Sequence, residues 1–262
     1  MRHITQGETR MKTGRLAVVA AASLALMLSR GARADDKPVT LVRAQKVGDV
    51  VHGKLTANLS IAGMMIKLEE DMKIEVKQIK PDGSVVTAET LEGGKISLPQ
   101  QDIDIPAGPG DTVTRDKFGK LVDLKESGED QSGMSPEVKK IMSIVQDIIF
   151  TDKPVMPNDS WETKFDNPAV KGQQFTIKSS YVGIEKVDGK DLWKLKQTTE
   201  LQAAADSQDK MTYETTYFVD PTNGQTVKAN VVAKNIPSGQ GVINMDGQMT
   251  ITKAPAAAKS EK

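Results

Sequence analysis

The side chains that most often carry out chemistry are scarce in this sequence of 262 residues. There is no cysteine, and His52 is the only histidine after residue 34. Nucleophilic catalysis by a cysteine–histidine pair and zinc sites built from several histidines are therefore excluded. A serine–histidine–aspartate arrangement would need His52, and the sequence has no G-x-S-x-G segment to present the serine. We interpret His52 as a polar residue near a strand end and predict no catalytic residue.

Two groups of acidic residues have a spacing that could suit a cation. Asp102 and Asp104 would point to the same side of an extended strand, as a carboxylate pair or as oxygen ligands. No third oxygen ligand follows at a useful spacing, so a solvated loop edge accounts for this pair. The charged outer face of a strand likewise accounts for Glu69-Glu70-Asp71. Glycine-rich phosphate loops of either common type are absent, and we predict no metal site and no cofactor.

Binding of an apolar ligand has more support. Nine of the twelve methionines lie after residue 34. Methionine adapts to irregular apolar shapes, so these residues could line a pocket for an acyl chain, or they could fill gaps in a core with few aromatic residues. Trp161, Tyr181 and Tyr217 could in the same way face a ligand or pack on a sheet. We predict that such a cavity would be lined by Met72, Ile141, Met142, Val145, Ile148, Trp193, Tyr213, Met245 and Met249.

One helix must help to position these residues. The stretch 135–150, S-P-E-V-K-K-I-M-S-I-V-Q-D-I-I-F, has the apolar spacing of an amphipathic helix. Its apolar stripe consists of Val138, Ile141, Met142, Val145, Ile148 and Ile149. Ser135 can act as N-cap, Pro136 suits the first helical position, and Glu137 places negative charge at the positive end of the helix dipole. We predict a helix over residues 136–149.

Most of the remaining sequence alternates between apolar and polar residues, as strands with one buried face do. Between residues 54 and 77 the apolar positions are Leu55, Ala57, Leu59, Ile61, Ile66, Leu68, Met72, Ile74 and Val76. The turn sequences Asp82-Gly83, Asp188-Gly189 and Asn223-Gly224 follow later. We interpret the proline- and glycine-rich run 102–110 as a loop. The pattern predicts a mainly β fold, a curved antiparallel sheet or open half-barrel of about ten strands packed around one α-helix.

Residues 1–34 have the features of a signal peptide. A short basic region precedes an apolar core at residues 16–28, and a small-x-small sequence ends at Ala34. We expect cleavage after Ala34, and the start of translation stays open between Met1 and Met11. The apolar core is too short to span a membrane, no later stretch is long enough, and no cysteine is available for a lipid anchor. We therefore expect an exported protein, periplasmic or extracellular, that is not a lipoprotein.

Removal of the predicted signal peptide changes the net charge of the chain and defines the part that must fold. Six of the 35 basic and one of the 35 acidic residues lie within residues 1–34, so the remaining 228 residues carry a net charge of about −5. Such a chain is a poor nucleic-acid binder. Without cysteine no disulfide can form, and packing alone must hold the fold. We predict a single β-rich domain over residues 35–253 and a disordered tail over residues 254–262.

The two β halves, residues 39–125 and 159–253, resemble each other in the order of their turns and strands. Asp82-Gly83 in the first half corresponds to Asp188-Gly189 in the second, at an offset of about 105 residues. We interpret this correspondence as a degenerate duplication. The alternative is that any chain of hairpins carries Asp-Gly turns at intervals.

Three motifs carry a resemblance to a known family. They are V-G-D-V-V-H-G-K-L at 47–55, K-P-D-G-S at 80–84 and P-V-M-P-N-D-S-W at 154–161. Together they resemble an uncharacterised family of exported bacterial proteins, in which the last motif commonly reads P-x-G-D-x-W. Asn158 stands here where glycine is usual, and both residues accept a positive φ. The layout is similar to the open half-barrel of lipoprotein carriers of the LolA/LolB type, a curved sheet that wraps a helix and forms an apolar cavity.

The sequence thus favours a binding protein over an enzyme. The leading hypothesis is an exported, non-enzymatic binding or carrier domain for an apolar ligand, such as a lipid, or for a lipidated partner. The alternative is a structural or protein-interaction domain of the bacterial cell envelope with a fully packed core. The amount of space between the helix and the sheet distinguishes the two.

Overall fold

The computed structural model of this protein describes residues 37–127, 134–203, 209–238 and 241–253. These residues form one helix, α1 (Pro136–Val145), and twelve strands. The strands are β1 (Val50–Ile61), β2 (Met64–Ile79), β3 (Val85–Ser97), β4 (Asp102–Ile105), β5 (Gly108–Arg115), β6 (Leu121–Lys125), β7 (Ser160–Asp166), β8 (Gln174–Val187), β9 (Lys190–Leu201), β10 (Met211–Asp220), β11 (Gln225–Ser238) and β12 (Gly241–Lys253). The predicted signal peptide and the predicted tail lie outside the described residues.

All twelve strands belong to one antiparallel sheet. Their order is β6-β5-β3-β2-β1-β12-β11-β10-β9-β8-β7, with β4 paired to β3. The sheet does not close, and it curves around α1 as a half-barrel, which confirms the predicted fold class. The loop prediction for residues 102–110 was wrong: Ile103 and Ile105 alternate with aspartates in β4, and β5 already begins at Gly108. Both strands pair along β3, and this partner outweighs the low strand propensity of the local sequence.

The two halves of the sheet are meanders that meet at the centre, where β1 pairs with β12. Each half runs across the sheet in the same direction, from β6 to β1 and from β12 to β7. A plain succession of hairpins produces the same arrangement, so the duplication stays a prediction.

The helix begins as the sequence predicts and ends four residues early. The Ser135 hydroxyl accepts a hydrogen bond from the Val138 amide (3.3 Å), and proline occupies the first turn. After Val145 the chain leaves the helical path, although Ile148 and Ile149 remain buried. The carbonyl groups at this end accept hydrogen bonds from side chains of the sheet. They therefore do not need the amide donors that a further helical turn would supply.

The helix covers one half of the sheet. Its buried residues pack in a cluster whose sheet members include Phe165, Phe175, Ile177, Leu201, Met211, Tyr213, Val231, Ala233 and Ile236. A second cluster joins Leu41, Ile148, Phe150 and Val155 to Tyr181, Trp193, Leu195, Tyr217, Val219 and Ala229. Every strand residue among these buried members belongs to β7–β11. The fully buried part of the helix-facing surface therefore lies on β7–β11, and partly buried Leu121 of β6 and Ile243 and Met245 of β12 pack at its margins.

Candidate apolar binding site

The helix-facing side of the sheet continues beyond β11 onto β12, β1, β2 and β3. Met245 and Met249 on β12 pack at the margins of the two buried clusters. Leu59 lies opposite Met245 and Leu55 opposite Met249, so these β1 residues share the same face. We call this surface the apolar trough. Ala57 and Val76 on this face are fully buried, and its half-buried apolar residues include Leu55, Leu59, Ile61, Ile66, Leu68, Met72, Ile74, Leu91, Ile96, Ile243, Met245 and Met249.

The trough is closed at one end and exposed at the other. At the closed end the segment before β1 crosses the sheet, where the Ala44 amide donates to the Asn223 carbonyl (2.8 Å) and Leu41 is 2% exposed. At the other end, next to the β1–β2 turn, Met64 is 51% and Met65 61% exposed. An apolar molecule from solvent would therefore enter at the β1–β2 end.

An ion-pair group holds the closed end together. Nη1 and Nη2 of Arg43 donate to the Asp147 carboxylate (3.0 Å each), and Nε of Arg115 lies 3.1 Å from the same carboxylate. Arg43 also donates to the Ile148 carbonyl (2.6 Å), and Arg115 to the Ser143 carbonyl (2.8 Å). Burial alone would raise the pKa of Asp147, but the two guanidinium groups outweigh it and lower that pKa. This group fixes the end of the helix segment against the β5–β6 hairpin.

Two carboxylates interrupt the apolar surface of the trough. Glu70 on β2 lies opposite Leu55, and Glu89 on β3 lies opposite Ile74. The two positions are four residues apart along the ladder, or about 13 Å, and Met72 lies between them. Neither carboxylate has a hydrogen-bond or ion-pair partner within the described ranges.

The surroundings of both carboxylates disfavour their charged form. Burial raises the pKa of Glu70, and no cation opposes the effect. Burial also raises the pKa of Glu89; the charge of Arg115 partly opposes this, whereas Asp147 and Asp111 reinforce it. Uncompensated carboxylates on an apolar face cost folding free energy.

The free-energy cost of placing the Glu70 carboxylate on this apolar face can be measured by protein unfolding. We expect Glu70→Gln to raise the free energy of unfolding at pH 7 by about 1 kcal/mol, because an uncharged amide is cheaper to bury than an unpaired carboxylate. Folded Glu70 keeps its proton at pH values where the unfolded chain, with the ordinary value of 4.5, loses it. The cost therefore appears as the pH rises through the raised pKa, and the variant should gain nothing below about pH 4.5.

Urea unfolding followed by tryptophan fluorescence, repeated from pH 4 to pH 8, measures this difference. Asp71→Asn is the matched control, since Asp71 is the next residue in β2 and is exposed on the opposite face. That variant should stay within about 0.5 kcal/mol of the original protein. A destabilised Glu70→Gln protein at pH 7 would contradict the expectation.

The nine residues predicted to line a cavity divide into two groups. Met72, Met245 and Met249 lie together in the apolar trough. The other six are 0–8% exposed and belong to the two buried clusters: Ile141, Met142, Val145, Ile148, Trp193 and Tyr213. They are packed against protein side chains, and a ligand could reach them only by displacing α1 or the segments before β1 and after α1 that cover the second cluster.

Two open clefts lie elsewhere on the surface. One, of about 790 Å³, is lined by Asp166–Pro168 and Lys171–Gln174, and the other, of about 460 Å³, by Phe118, Phe150–Val155 and Asp159–Thr163. Neither contains any of the nine predicted residues.

His52 and Asp102, two of the titratable residues considered from the sequence, form surface ion pairs. His52 Nδ1 lies 2.7 Å from a Glu92 carboxylate oxygen, and both side chains are about 40% exposed. Asp102 pairs with Lys95 (2.5 Å), and this hydrogen bond lowers the pKa of Asp102. Within the described residues no cluster of three or more histidine, aspartate or glutamate side chains could hold a metal ion.

The interpretation of residues 69–71 as a charged outer face was wrong for one of the three. Glu69 does lie on the outer face, where it pairs with Lys67 (2.6 Å), but Glu70 lies on the inner face among apolar residues. The signal was present in the alternation, because Glu70 occupies the same phase as Leu68 and Met72. Glu89, at the phase of Leu91, was missed for the same reason.

The aromatic residues considered as a ligand face serve packing. Tyr181, Trp193 and Tyr217 are buried in the second cluster. Trp161 donates from Nε1 to the Ile149 carbonyl (2.9 Å), and the Tyr217 hydroxyl donates to the Gln146 carbonyl (3.1 Å). These residues hold the chain that follows α1.

No protein-family model and no curated protein matches the chain. Among solved structures it is similar to lipovitellin, in a structure described by its lipid–protein interactions, with 10% identity and a TM-score of 0.40 over 82% of this chain and 26% of that one. The chain thus spans about a quarter of the lipovitellin chain.

Two bacterial structures are also similar. One is a proposed exported protein with a YmcC-like fold from Bacteroides fragilis (10% identity, TM-score 0.36, 81% of this chain and 97% of that one). The other is a proposed outer membrane lipoprotein-sorting protein domain from Vibrio parahaemolyticus (10% identity, TM-score 0.25, 84% of this chain and 91% of that one). All three TM-scores are below 0.5, so these likenesses transfer no function to this chain. No helix in the described residues is long and apolar enough to cross a membrane.

Proposed function

We propose that this protein is an exported, non-enzymatic binding or carrier domain that holds an apolar ligand, such as a lipid or the acyl chain of a lipidated partner, in the apolar trough. The observation that carries the proposal is the uneven burial of one continuous sheet face. The core positions of the half under α1 are at most 8% exposed, whereas most apolar residues of the other half are only half-buried. The proposed ligand covers the apolar surface of the trough that α1 does not cover.

The energetics favour a chain-like ligand. Burying an apolar methylene group contributes about 0.8 kcal/mol, so a medium-length alkyl chain offsets the cost of association and leaves useful affinity. Methionines at Met72, Met245 and Met249 adapt to chains of different shape. The trough therefore suits an acyl or alkyl group better than a rigid ligand that needs many directed hydrogen bonds.

The proposal predicts saturable binding of N-phenyl-1-naphthylamine, an uncharged apolar probe whose fluorescence rises in an apolar site. Leu59→Gln should weaken the binding about tenfold, because it places an amide between Met245 and Ile66 in the trough. The matched control is Asn58→Gln, which places the same amide one residue away on the exposed opposite face and should bind as the original protein does. Native mass spectrometry of the protein purified without detergent tests for a co-purified lipid.

Equal binding by the Leu59→Gln and Asn58→Gln proteins would reject the trough as the site. A probe that binds only when α1 is destabilised would instead favour a cavity beneath the helix. No probe binding together with no co-purified lipid would count against an apolar ligand altogether.

A structural or protein-interaction domain of the cell envelope is the second candidate. Its support is the close packing beneath α1, where Ile141, Val145, Ile177 and Leu195 are all 0% exposed. In that case the trough would be the contact surface for a protein, and crosslinking from Leu59 replaced by a photoreactive residue should capture a defined partner and no lipid.

A further inference from the structure

The charges that line the apolar trough are mainly negative. Among the inward positions of β1, β2, β3 and β12 whose side chains the structure describes, the charged residues are Glu70 and Glu89; Lys253 pairs with Val51 at the closed end. The cations nearest the closed end, Arg43 and Arg115, are both engaged with Asp147. A ligand that lies against Glu70 therefore meets a carboxylate whose charge no described cation offsets.

We propose that the ligand of the trough is a single-chain amphiphile with a protonated primary amine, which places its alkyl chain on the apolar residues and donates hydrogen bonds from the amine to Glu70. This inference rests on the proposed function and narrows it to one chemical class. Glu89 adds negative charge deeper in the trough and reinforces the preference for a cation.

Glu70 is the better partner for the amine for two reasons. It lies nearer the exposed end, and no cation of the described residues offsets its charge, whereas Arg115 partly offsets that of Glu89. Glu70 lies six residue steps from Met64 at the exposed end, or about 20 Å of strand, which is room for an extended alkyl chain. A charge-assisted hydrogen bond in such an apolar setting is stronger than one in water.

The same charges exclude the opposite class of ligand. An anionic head group beside Glu70 would face like charges at Glu70 and Glu89, and no described cation offsets the charge of Glu70. A fatty acid or an alkyl sulfate should therefore bind more weakly than an uncharged chain of the same length.

The experiment compares three decyl compounds with the same chain and different heads: decylamine, decanol and decyl sulfate. Each competes with N-phenyl-1-naphthylamine for the intact protein at pH 7, below its micelle concentration. We expect decylamine to bind about tenfold more tightly than decanol, and decyl sulfate to bind most weakly.

Variants identify the carboxylate responsible. Glu70→Gln should reduce the ratio of decylamine to decanol affinity to about twofold, and Glu89→Gln should reduce it less, because Glu89 acts at a distance. Asp71→Asn removes a carboxylate from the outer face of the same strand and should leave the ratio unchanged. Thermal unfolding of each variant verifies that it is folded.

Three outcomes would overturn the inference. Equal affinities for the three decyl compounds would reject amine recognition and leave the apolar site intact. An unchanged ratio in the Glu70→Gln protein would reject Glu70 as its partner. A lysine- and leucine-rich peptide that displaces the probe when decylamine does not would assign the carboxylates to a protein ligand. Failure of the probe itself to bind the original protein would instead reject the proposed function.

Discussion

Replacing Gln197 with leucine is expected to lower the free energy of unfolding by about 3 kcal/mol, because the change leaves several buried backbone groups without partners. The Gln197 amide nitrogen donates to the Val145 carbonyl (3.1 Å) and the Asp147 carbonyl (3.0 Å). Its oxygen accepts from the Ile149 amide (3.2 Å). The residue is 2% exposed, so water cannot replace these bonds.

Urea unfolding followed by tryptophan fluorescence measures the loss, and hydrogen exchange localises it. The Ile149 amide should exchange much faster in the variant, since its acceptor is gone. Gln174→Leu is the matched control, because Gln174 is exposed and bonds to Asp166 at the surface. It should change stability by less than about 0.5 kcal/mol. A loss below about 1 kcal/mol in Gln197→Leu would mean that the chain after α1 does not depend on this side chain.

The second large effect is expected for Asp147→Asn, which should destabilise the protein by about 2 kcal/mol at pH 7 by leaving Arg43 and Arg115 together without their shared anion. The full cost of an uncompensated buried charge is larger, but the Asp147 side chain is 25% exposed, and solvent screens part of it. The cation–π contact of Arg43 with Phe150, at 5.4 Å, should weaken as well.

The pH dependence identifies the cause. The pKa of Asp147 is lowered on folding, so the stability that its charge contributes is present above the ordinary value of 3.8 and is lost as the pH falls through the lowered pKa. The difference between the original and the Asp147→Asn protein should therefore shrink at low pH. Asp152→Asn, an exposed change five residues away, serves as control. A difference that stays constant down to pH 2 would indicate a steric effect of the substitution.

The local signals in the sequence predicted the beginning of the helix and the character of the strands. Ser135 and Pro136 act through neighbouring backbone groups, so their effect can be read without knowledge of the rest of the fold. The end of the helix could not be read in this way. It depends on Gln197 and Tyr217, which are distant in sequence and reach the carbonyl groups only after the sheet has formed.

The candidate site was predicted in part. Met72, Met245 and Met249 were selected because methionine suits an apolar ligand, and they do lie on one surface. The helix residues were selected by the same reasoning, yet they pack in the core, since composition does not reveal which face of a helix another element covers. Glu70 was assigned to the wrong face, although its alternation phase indicated the inner one.

The sequence by itself determined an antiparallel sheet around one helix, a cysteine-free core and an almost histidine-free chain, because these follow from residue type and from spacing along the chain. Only the tertiary structure decided that the helix, ten residues long, covers β7–β11 of a twelve-stranded sheet and leaves the face of β12, β1, β2 and β3 half-buried. The physical reason is that burial is a property of surfaces brought together from distant parts of the chain, whereas periodicity records only which surface each segment offers.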